Sequence, residues 1–489
     1  MNTQPLAHTD ESHESKLKKA NLNTPFYNLI NGRDDASGGT IDVVNPATGE
    51  NIASVPDMDR DGLDRAVKAA RLAFPAWSAK SFAERRSLLA EFLSKIRENS
   101  DELIALLTAE HGRPLVTSQW ELQALTEQFG ALLLDLELAD EKSESKDLGE
   151  VVKRYVPLGV VCAISPWNAP VLLSYLKVLA GLLTGNTMVL KPSPFAPLTV
   201  LRIAEYARDL LPAGVLNVIT GGDKLGPWMT SHAGFDKVTF TGSTQTGKRV
   251  MESAAASLAR VTLELGGNDA AIVLPDADPD QIAPALFWSM FMLNGHACVS
   301  LKRLFVHEQI YPQLTQALAA YAANIRTGDG FAADSALGPV QNRMQFERIK
   351  EVWDEVQQSG VKILYQGEAP EQGYFFPVTV LDNPPDDAPF VTKEVFGPIR
   401  SVLKYSTIDE AIQRANNTSY GLGGSVWGND PAQLKAVAAQ LRSGTVWINQ
   451  HANLTGNIPF GGHKESGFGV ELGLEGLKSY CNVQVIASR

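Results

Sequence analysis

The sequence predicts an α/β fold in which a doubly wound parallel-sheet domain is joined to a second α/β domain and a small β element. From residue 160 onward, short runs rich in β-branched residues alternate with helical runs, a pattern that builds crossover units with helices on both faces of a sheet. The length of 489 residues suggests about three domains. The 43 basic and 55 acidic side chains give a net charge of −12, which disfavours a nucleic acid or an anionic membrane as partner.

The amino-terminal 20 residues are predicted to form a disordered polar tail. They contain no apolar core and no small-residue cleavage site, so they do not match a signal peptide. The longest apolar stretch, residues 170–190, is interrupted by Lys177 and by glycines, and this excludes a membrane span. An odd number of cysteines argues against a disulfide scaffold and for the cytoplasm; they are Cys162, Cys298 and Cys481.

Two helical segments are predicted before the alternating region, over residues 59–79 and 81–112. Ser81 and Glu84 match a capping box, in which each side chain bonds the backbone N–H of the other residue. Gly112 is placed to end the second segment. After these helices, residues 140–152 are strongly charged with few apolar groups, which predicts an exposed excursion.

The alternating region follows this excursion. Its predicted strands are residues 160–164, 187–190, 215–220, 237–241, 261–265 and 270–274. Its predicted helices are residues 171–183, residues 200–211 and a segment that begins near Ser243. Because ligands of such sheets bind beyond the carboxyl ends of the strands, the residues that follow each strand are the first candidates for chemistry.

The segment after residue 241, GSTQTGK, resembles a phosphate loop. A nucleoside triphosphatase requires a hydroxyl for magnesium at the next position, but the residue there is Arg249. The segment is not G-x-G-x-x-G either. The segment still provides a glycine followed by the N-terminus of a helix, whose free N–H groups suit a pyrophosphate. Lys191, at the neighbouring strand end, is a candidate to hold the adenosine ribose or a phosphate.

Cys298 differs from the other two cysteines in its position. It follows the apolar helical run of residues 282–293 and lies beyond Gly295, on a loop, whereas a cysteine inside a strand is usually an inert packing group. A cysteine hydrolase with His296 as base is disfavoured, because positions so close in sequence rarely orient a triad. The eight histidines and three cysteines show no metal-ligand spacing.

Seven motifs, taken together and in order, resemble those of the aldehyde dehydrogenase superfamily from about Asn31 to the C-terminus. The spacing between Glu264 and Cys298 is also that of the family. The motifs are PWN at Pro166, KPS at Lys191, FTGS at Phe240, LELGG at Leu263, G-x-x-C at Gly295, EVFGP at Glu394 and PFGG at Pro459.

The resemblance implies oxidation of an aldehyde to its acid through a thioester. Cys298 would be the nucleophile, and Asn168 would donate to the developing oxyanion together with the backbone N–H of Cys298. Glu264 would deprotonate the water that hydrolyses the thioester. Lys177 and Glu471 match positions that relay the proton outward. Acyl transfer to coenzyme A is disfavoured because Glu264 is present, while a thiol esterase and a non-catalytic binding protein of the same fold remain alternatives.

The resemblance also implies a site for NAD⁺. Glu394 would hold the nicotinamide ribose, and Phe396 would pack at the nicotinamide end. The family usually has a glutamate that grips the adenosine ribose hydroxyls where this sequence has Pro194, so NADP⁺ stays open. The complete expected set is Ser165, Pro166, Trp167, Lys191, Gly222, Gly226, Thr241, Gly242, Ser243, Leu265, Gly266, Glu394 and Phe396.

Several departures from the family pattern suggest the substrate. The usual glutamine before the catalytic cysteine is replaced by His296, and Ala169 replaces a common phenylalanine. Leu176 stands where succinic semialdehyde enzymes have an arginine. These positions predict a wide, apolar tunnel for an apolar or aromatic aldehyde, unless other residues close it. The expected lining is Ala169, Leu176, Ala297, Leu454 and Phe460.

The predicted domains follow from these assignments. Residues 21–136 and 155–263 form the dinucleotide-binding domain, and residues 264–469 form the catalytic domain. Residues 137–154 and 470–489 form a bridging and oligomerisation element, since SYCNVQVIAS near the C-terminus alternates as a strand does. An isolated β arm leaves an unpaired edge, which predicts a homodimer or a homotetramer.

Overall fold

The strand Val160–Ile164 (VVCAI) lies inside an eight-stranded sheet, because its residues are all apolar and all buried. Val161 and Ala163 pack into one apolar cluster and Val160, Cys162 and Ile164 into another on the opposite face. Five strands are parallel, and antiparallel strands cover both edges. In spatial order the strands are Gly467–Phe468, Arg260–Glu264, Lys237–Thr241, Val160–Ile164, Thr187–Lys191, Leu216–Val218, Asn28–Ile30 and Arg33–Asp35.

A second sheet has seven strands, of which six are parallel. Its buried strand Asp269–Val273 directly follows the strand Arg260–Glu264 of the first sheet. The chain therefore crosses from the first sheet to the second between Glu264 and Asp269. In spatial order the strands are Lys362–Gln366, Thr379–Asp382, Ile399–Tyr405, Leu301–His307, Asp269–Val273, Gly423–Trp427 and Thr445–Ile448. The predicted fold class, two parallel-sheet α/β units with a small β element, is confirmed.

The charged excursion and the C-terminal tail pair with each other. Glu141–Ser145, Gly149–Pro157 and Cys481–Ser488 form an antiparallel three-stranded sheet, with Cys481–Ser488 at one edge. The middle strand continues to Pro157, past the predicted boundary at residue 154. Val483 and Val485 on the edge strand are 57% and 60% exposed, which leaves an apolar edge open for pairing. A separate hairpin is made by Gly39–Asn45 and Glu50–Asp57.

Helices cover both sheets and form the amino-terminal region. The α-helices are His13–Lys18, Arg60–Ser78, Phe82–Glu98, Ser100–His111, Leu115–Gln123, Gly130–Leu134, Pro170–Leu183, Leu198–Leu210, Leu225–Thr230, Thr244–Ala255, Pro279–Phe291, Tyr311–Ala322, Arg343–Ser359, Pro389–Thr392, Ile408–Asn416, Pro431–Ala438 and Gly473–Lys478. Ala124–Phe129 is a π-helix, and Met292–Gly295 and Lys464–Ser466 are 3₁₀ turns. Among residues 13–489, no helix is both long and apolar enough to cross a membrane.

The helical segment predicted over residues 81–112 is divided in two. The capping box is confirmed, since Ser81 N–H donates to Glu84 at 2.7 Å and Glu84 N–H donates back to the Ser81 hydroxyl at 3.2 Å. Gly112 ends the segment with a φ of 77°. Asn99 interrupts it at φ −108° and ψ 21°, because its side-chain amide bonds the carbonyl of Lys95 at 2.8 Å and competes with the helix.

The prediction of a disordered tail over residues 1–20 is wrong for its second part. The computed structural model describes residues 13–489, and residues 1–12 of the predicted tail lie outside them. His13–Lys18 is a helix that contacts the helix Ser100–His111. Leu17 packs against the core and Ala20 is fully buried, so this short apolar surface anchors the segment.

Candidate active site

Cys298 lies on the loop between the helix Pro279–Phe291 and the strand Leu301–His307. The helix ends in a tight 3₁₀ turn in which Leu293, Asn294 and Gly295 all have positive φ, from 50° to 77°. A side chain on Gly295 would collide with the carbonyl of Gly397, so this position requires glycine. The turn brings the cysteine against the apolar core, where it is partly buried.

Glu264 ends the strand Arg260–Glu264 and is 4% exposed. Among residues 13–489, neither of its carboxylate oxygens has a hydrogen-bond partner. Burial raises the pKa of Glu264 well above its usual range, the charge of Glu471 raises it further, and Lys177 opposes this shift. The raised pKa makes the carboxylate of Glu264 a stronger base than an exposed glutamate.

The structure brings Glu264 and Cys298 together across the two sheets. A side chain on Gly267, three residues after Glu264, would lie 2.6 Å from the carbonyl oxygen of Cys298. Burial raises the pKa of the Cys298 thiol to about 12; Lys302 lowers it, and Glu264 and other carboxylates raise it. The thiol is thus protonated at rest, and the nearby cation Lys302 favours its ionisation.

Asn168 is held beside the same loop. Its side-chain amide donates to the carbonyl of His296 at 2.7 Å, which leaves the second amide hydrogen for another acceptor. The following helix begins at Pro170 without a side-chain cap from Ala169. The buried carboxylate of Glu121 replaces that cap by accepting from the N–H groups of Val171 and Leu172 at 2.7 and 2.8 Å.

Lys177 and Glu471 form a buried ion pair next to Glu264. The Lys177 side chain is 1% exposed and that of Glu471 is 13% exposed. Thr239 donates its hydroxyl to Glu471 at 3.0 Å. Since Glu471 and Lys177 both shift the pKa of Glu264, the three predicted proton-handling residues occupy one electrostatically connected cluster.

The strand ends expected to bind the adenosine and pyrophosphate groups lie on the first sheet. Burial lowers the pKa of Lys191 to about 8, and Asp223 and Asp57 oppose this shift. Ser243 caps the helix Thr244–Ala255 by accepting from the N–H of Thr246 at 3.3 Å. Thr241 ends the strand Lys237–Thr241, and its buried hydroxyl has no partner among the described residues.

Two glycines of the expected cofactor set stand on the same side. A side chain on Gly226 would meet nothing within 4 Å, and one on Gly222 only atoms at 3.9 Å or beyond. The N–H of Gly222 donates to Asp57 at 2.9 Å. Open space, an unpartnered hydroxyl and a buried lysine fit a dinucleotide.

The residues expected at the nicotinamide end also cluster. Glu394 accepts from the N–H of Gly267 at 3.1 Å, and a side chain on Gly266 would collide with its carboxylate. Trp167 and Phe396 make an edge contact with ring centroids 5.4 Å apart. The carboxylate of Glu394 thus lies against the Gly266–Gly267 backbone, and the two aromatic rings contact each other.

Other members of the expected cofactor set have structural contacts. The Ser165 hydroxyl bonds that of Ser174 at 2.6 Å, and Gly242 N–H donates to the carbonyl of Glu264 at 3.0 Å. Leu265 is 6% exposed and its N–H donates to Ser466. Pro166 is half-buried. Their backbones shape the strand ends, and the Ser165 hydroxyl is already bonded within the protein.

The five residues expected to line the substrate tunnel belong to the apolar cluster against which Cys298 packs. Four of them are 8% exposed or less, and Leu454 is half-buried. These residues are apolar and largely buried, and the tunnel that they are expected to line stays a prediction. The five residues are Ala169, Leu176, Ala297, Leu454 and Phe460.

Sequence reasoning missed Lys302 and His451. The Lys302 ammonium donates to the carbonyl of Cys298 at 2.5 Å and lies 3.1 Å from the carboxylate of Glu394. His451 contacts the carbonyl of Val299 at 2.8 Å. A lysine four residues after a candidate nucleophile was the available signal for Lys302, whereas His451 is distant in sequence and gave none.

A thiol and an unpartnered carboxyl between two parallel-sheet units, beside strand ends suited to a dinucleotide, define a cysteine-dependent oxidoreductase. Known proteins agree. The aldehyde dehydrogenase family matches residues 33–486, and the chain belongs to that family. It is an NAD-dependent aldehyde dehydrogenase.

Relatives cover nearly the whole chain. Aldehyde dehydrogenase LUC3 of Fusarium sp is 35% identical over 466 residues, 95% of this chain and 98% of that protein. Phenylacetaldehyde dehydrogenase of Pseudomonas fluorescens is 36% identical over 486 residues, covering 95% and 96%. The solved structure of an aldehyde dehydrogenase from Bacillus cereus in complex with NAD⁺ is 34% identical, with a TM-score of 0.92 over 98% of both chains.

Proposed function

We propose that this enzyme oxidises an apolar or aromatic aldehyde to the carboxylic acid through a thioester on Cys298. The observation that carries the proposal is the meeting of the Cys298 loop with Glu264, whose buried carboxyl has no partner among the described residues. A carboxyl kept without hydrogen bonds costs folding free energy. Such a cost is typical of a group retained for proton transfer.

In the first half of the reaction, the Cys298 thiol loses its proton to solvent, and its sulfur bonds to the aldehyde carbon while the carbonyl electrons move to oxygen. Two donors are available for this oxyanion: the second amide hydrogen of Asn168 and the backbone N–H of Cys298. Among residues 13–489, no acceptor bonds the Cys298 N–H. One such donor typically lowers the reaction barrier by about 3–4 kcal/mol. NAD⁺, when bound, accepts the hydride that leaves this carbon.

In the second half, Glu264 takes a proton from water, and the water oxygen attacks the thioester carbon. The carbon–sulfur bond breaks, which releases the acid and returns the sulfur as a thiolate. Lys177 and Glu471 then carry the proton away from Glu264. The raised pKa of Glu264 makes its carboxylate basic enough for this task.

The substrate class follows from the apolar surroundings of Cys298. Ala169 and Ala297 supply small side chains near the nucleophile, and Leu176 supplies no charge for a distal carboxylate. An apolar aldehyde loses its hydration there at little polar cost. A relative at 36% identity is named for phenylacetaldehyde, which supports the aromatic choice.

Comparing kcat/KM for acetaldehyde, hexanal and phenylacetaldehyde, by NADH formation at 340 nm, tests this proposal. We expect the two larger aldehydes to be preferred at least about tenfold, since each buried methylene contributes about 0.8 kcal/mol. A preference for acetaldehyde would contradict the substrate class. Cys298→Ser should lose about a thousandfold or more in kcat, whereas the matched control Cys481→Ser should keep it; an active C298S enzyme would overturn the mechanism.

A further inference from the structure

The loop that carries Cys298 is held by its backbone carbonyls. Five consecutive carbonyl oxygens, of residues 295–299, each contact a buried side chain that can donate a hydrogen bond. Arg400 donates to residue 295 at 2.9 Å, Asn168 to 296 at 2.7 Å, Lys302 to 297 and 298 at 3.0 and 2.5 Å, and His451 contacts 299 at 2.8 Å. We call residues 295–299 the nucleophile loop.

Lys302 has the central place among these donors. It is 4% exposed, and its three ammonium hydrogens match three acceptors: the carbonyls of Ala297 and Cys298 and the carboxylate of Glu394, 3.1 Å away. The ammonium therefore lies between the nucleophile's own backbone and the nearest carboxylate of the expected nicotinamide site.

The neighbouring cation does not share this role. Arg303 is 5% exposed and donates to the carbonyls of Asn268, Arg414 and Ala415. None of these carbonyls belongs to the nucleophile loop. The contacts of Lys302 are thus specific to the segment that carries the sulfur, and do not follow from burial of a cation in this strand.

We propose that Lys302 is a positioning residue that fixes the nucleophile loop and shields the sulfur of Cys298 from the charge of Glu394. By holding two successive carbonyls, the ammonium fixes the peptide between them and thereby the direction of the Cys298 N–H. Its charge stabilises the ionised sulfur in a partly buried site, where water screens charges less than at the surface. This inference rests on the proposed function, because it concerns the same nucleophile.

Other charged groups around the sulfur act against Lys302. The thiol faces carboxyl groups from three segments, and their charges disfavour its ionisation. His451 stays neutral, because burial lowers its pKa to about 4. The carboxyl groups are Glu264 at the end of the first sheet, Asp269 at the start of the second and Glu394 on the loop before the strand Ile399–Tyr405.

The test measures alkylation of Cys298 by iodoacetamide against pH, followed by mass spectrometry of its peptide, with neither aldehyde nor NAD⁺ present. For Lys302→Met we expect about tenfold slower alkylation at pH 8, the factor that corresponds to a thiol that ionises about one pH unit later. Lys302→Arg should recover most of the rate. Lys237→Met is the matched control, because Lys237 is an equally buried lysine that bonds Thr262; its alkylation profile should not change.

A second variant keeps the test decisive if Lys302→Met does not fold. Glu394→Gln removes the charge that Lys302 shields, so the alkylation rate at pH 8 should rise several-fold. A wild-type alkylation rate in folded Lys302→Met, or an unchanged or lower rate in Glu394→Gln, would overturn the proposal. Failure of the proposed function would look different: the wild-type enzyme would alkylate as expected but form no NADH.

Discussion

The charge of Glu471 raises the pKa of Glu264, which lies in the same buried cluster. The ammonium of Lys177 pairs with Glu471, and the carboxyl of Glu264 has no hydrogen-bond partner among residues 13–489. Because its pKa is raised, Glu264 loses its proton at a higher pH than an exposed carboxyl does. Ionisation of Glu264 therefore controls the pH dependence of hydrolysis.

Replacing Glu264 by Gln should stop hydrolysis and spare acylation. We expect the steady-state kcat to fall by about 10²–10⁴-fold, while a rapid burst of NADH equal to the enzyme concentration persists. In the wild type, kcat should rise with pH as Glu264 loses its proton. Stopped-flow absorbance at 340 nm measures both phases. Absence of a burst in the Gln variant would show that Glu264 is needed before the thioester forms.

The same substitution should stabilise the fold at alkaline pH. The folded-state pKa of Glu264 is raised, so the folded protein binds its proton more tightly than the unfolded chain, where the pKa is about 4.3. The wild type therefore loses stability as the pH rises from that value towards the folded pKa. Glu264→Gln has no such loss, and its Tm at pH 8 should exceed that of the wild type by about 1–3 °C.

Differential scanning calorimetry at pH 8 and pH 5 measures this difference, which should shrink at the lower pH. Glu410→Gln is the control, since hydrogen bonds to Ser406 and Arg414 lower the pKa of Glu410. That exposed carboxylate stabilises the fold above its pKa, so its removal should not raise the Tm. An equal gain at both pH values for Glu264→Gln would mean that burial of the charge is not the cause.

The parts of the fold that follow local patterns were predictable from the sequence. Short strands whose residues are all buried, such as Val160–Ile164 and Lys237–Thr241, occur at the predicted bounds. Both were predicted from a short run that contains β-branched residues and is followed by a turn and a helix. The break at Asn99 was not predictable, since a side-chain bond competes there with an otherwise continuous helix. Most strands of the second sheet were not assigned from the sequence, although several of them alternate with helices in the structure.

In the candidate site, too, some residues were predictable from the sequence and others were not. Asn168 and Glu264 follow buried strands, so the topology of a parallel sheet indicates them. The role of Lys302 depends on carbonyls that only the tertiary structure brings to its ammonium. His451 reaches the nucleophile loop from a segment 152 residues away in sequence. Neither the periodicity of the sequence nor the spacing of its motifs could predict these tertiary contacts.

Assembly through the three-stranded sheet stays a prediction that truncation can test. Leu477 is fully buried in the core and the carbonyl of Tyr480 accepts from Asn186 at 3.0 Å, so a deletion that begins at Leu477 would also damage the fold. Deleting residues 481–489 removes only the edge strand and the last residue. We expect this variant to be a folded monomer by light scattering coupled to size exclusion.

A milder variant separates assembly from folding. Val485→Lys places a charge on an exposed position of the edge strand, where it is 60% exposed and should cost the monomer little. It should weaken self-association about tenfold or more, whereas Leu258→Lys, on an exposed position outside this sheet, should not. If both the truncated chain and Val485→Lys keep the oligomeric state of the wild type, the sheet is not the assembly surface.

Pro194 is predicted to leave the choice between NAD⁺ and NADP⁺ weak. It follows Ser193 beyond the strand Thr187–Lys191, at the position where the family resemblance places a glutamate for the ribose hydroxyls. In Pro194→Glu, the carboxylate should accept bonds from the ribose of NAD⁺ and repel the 2′-phosphate of NADP⁺. We expect the ratio of kcat/KM for NAD⁺ over NADP⁺ to rise about tenfold or more.

Pro194→Gln is the matched control, since its amide accepts a bond without charge and should improve NAD⁺ use while leaving NADP⁺ use intact. Steady-state kinetics with both cofactors decide the matter, and an equal change for NAD⁺ and NADP⁺ in the Glu variant would show that residue 194 does not face the adenosine ribose.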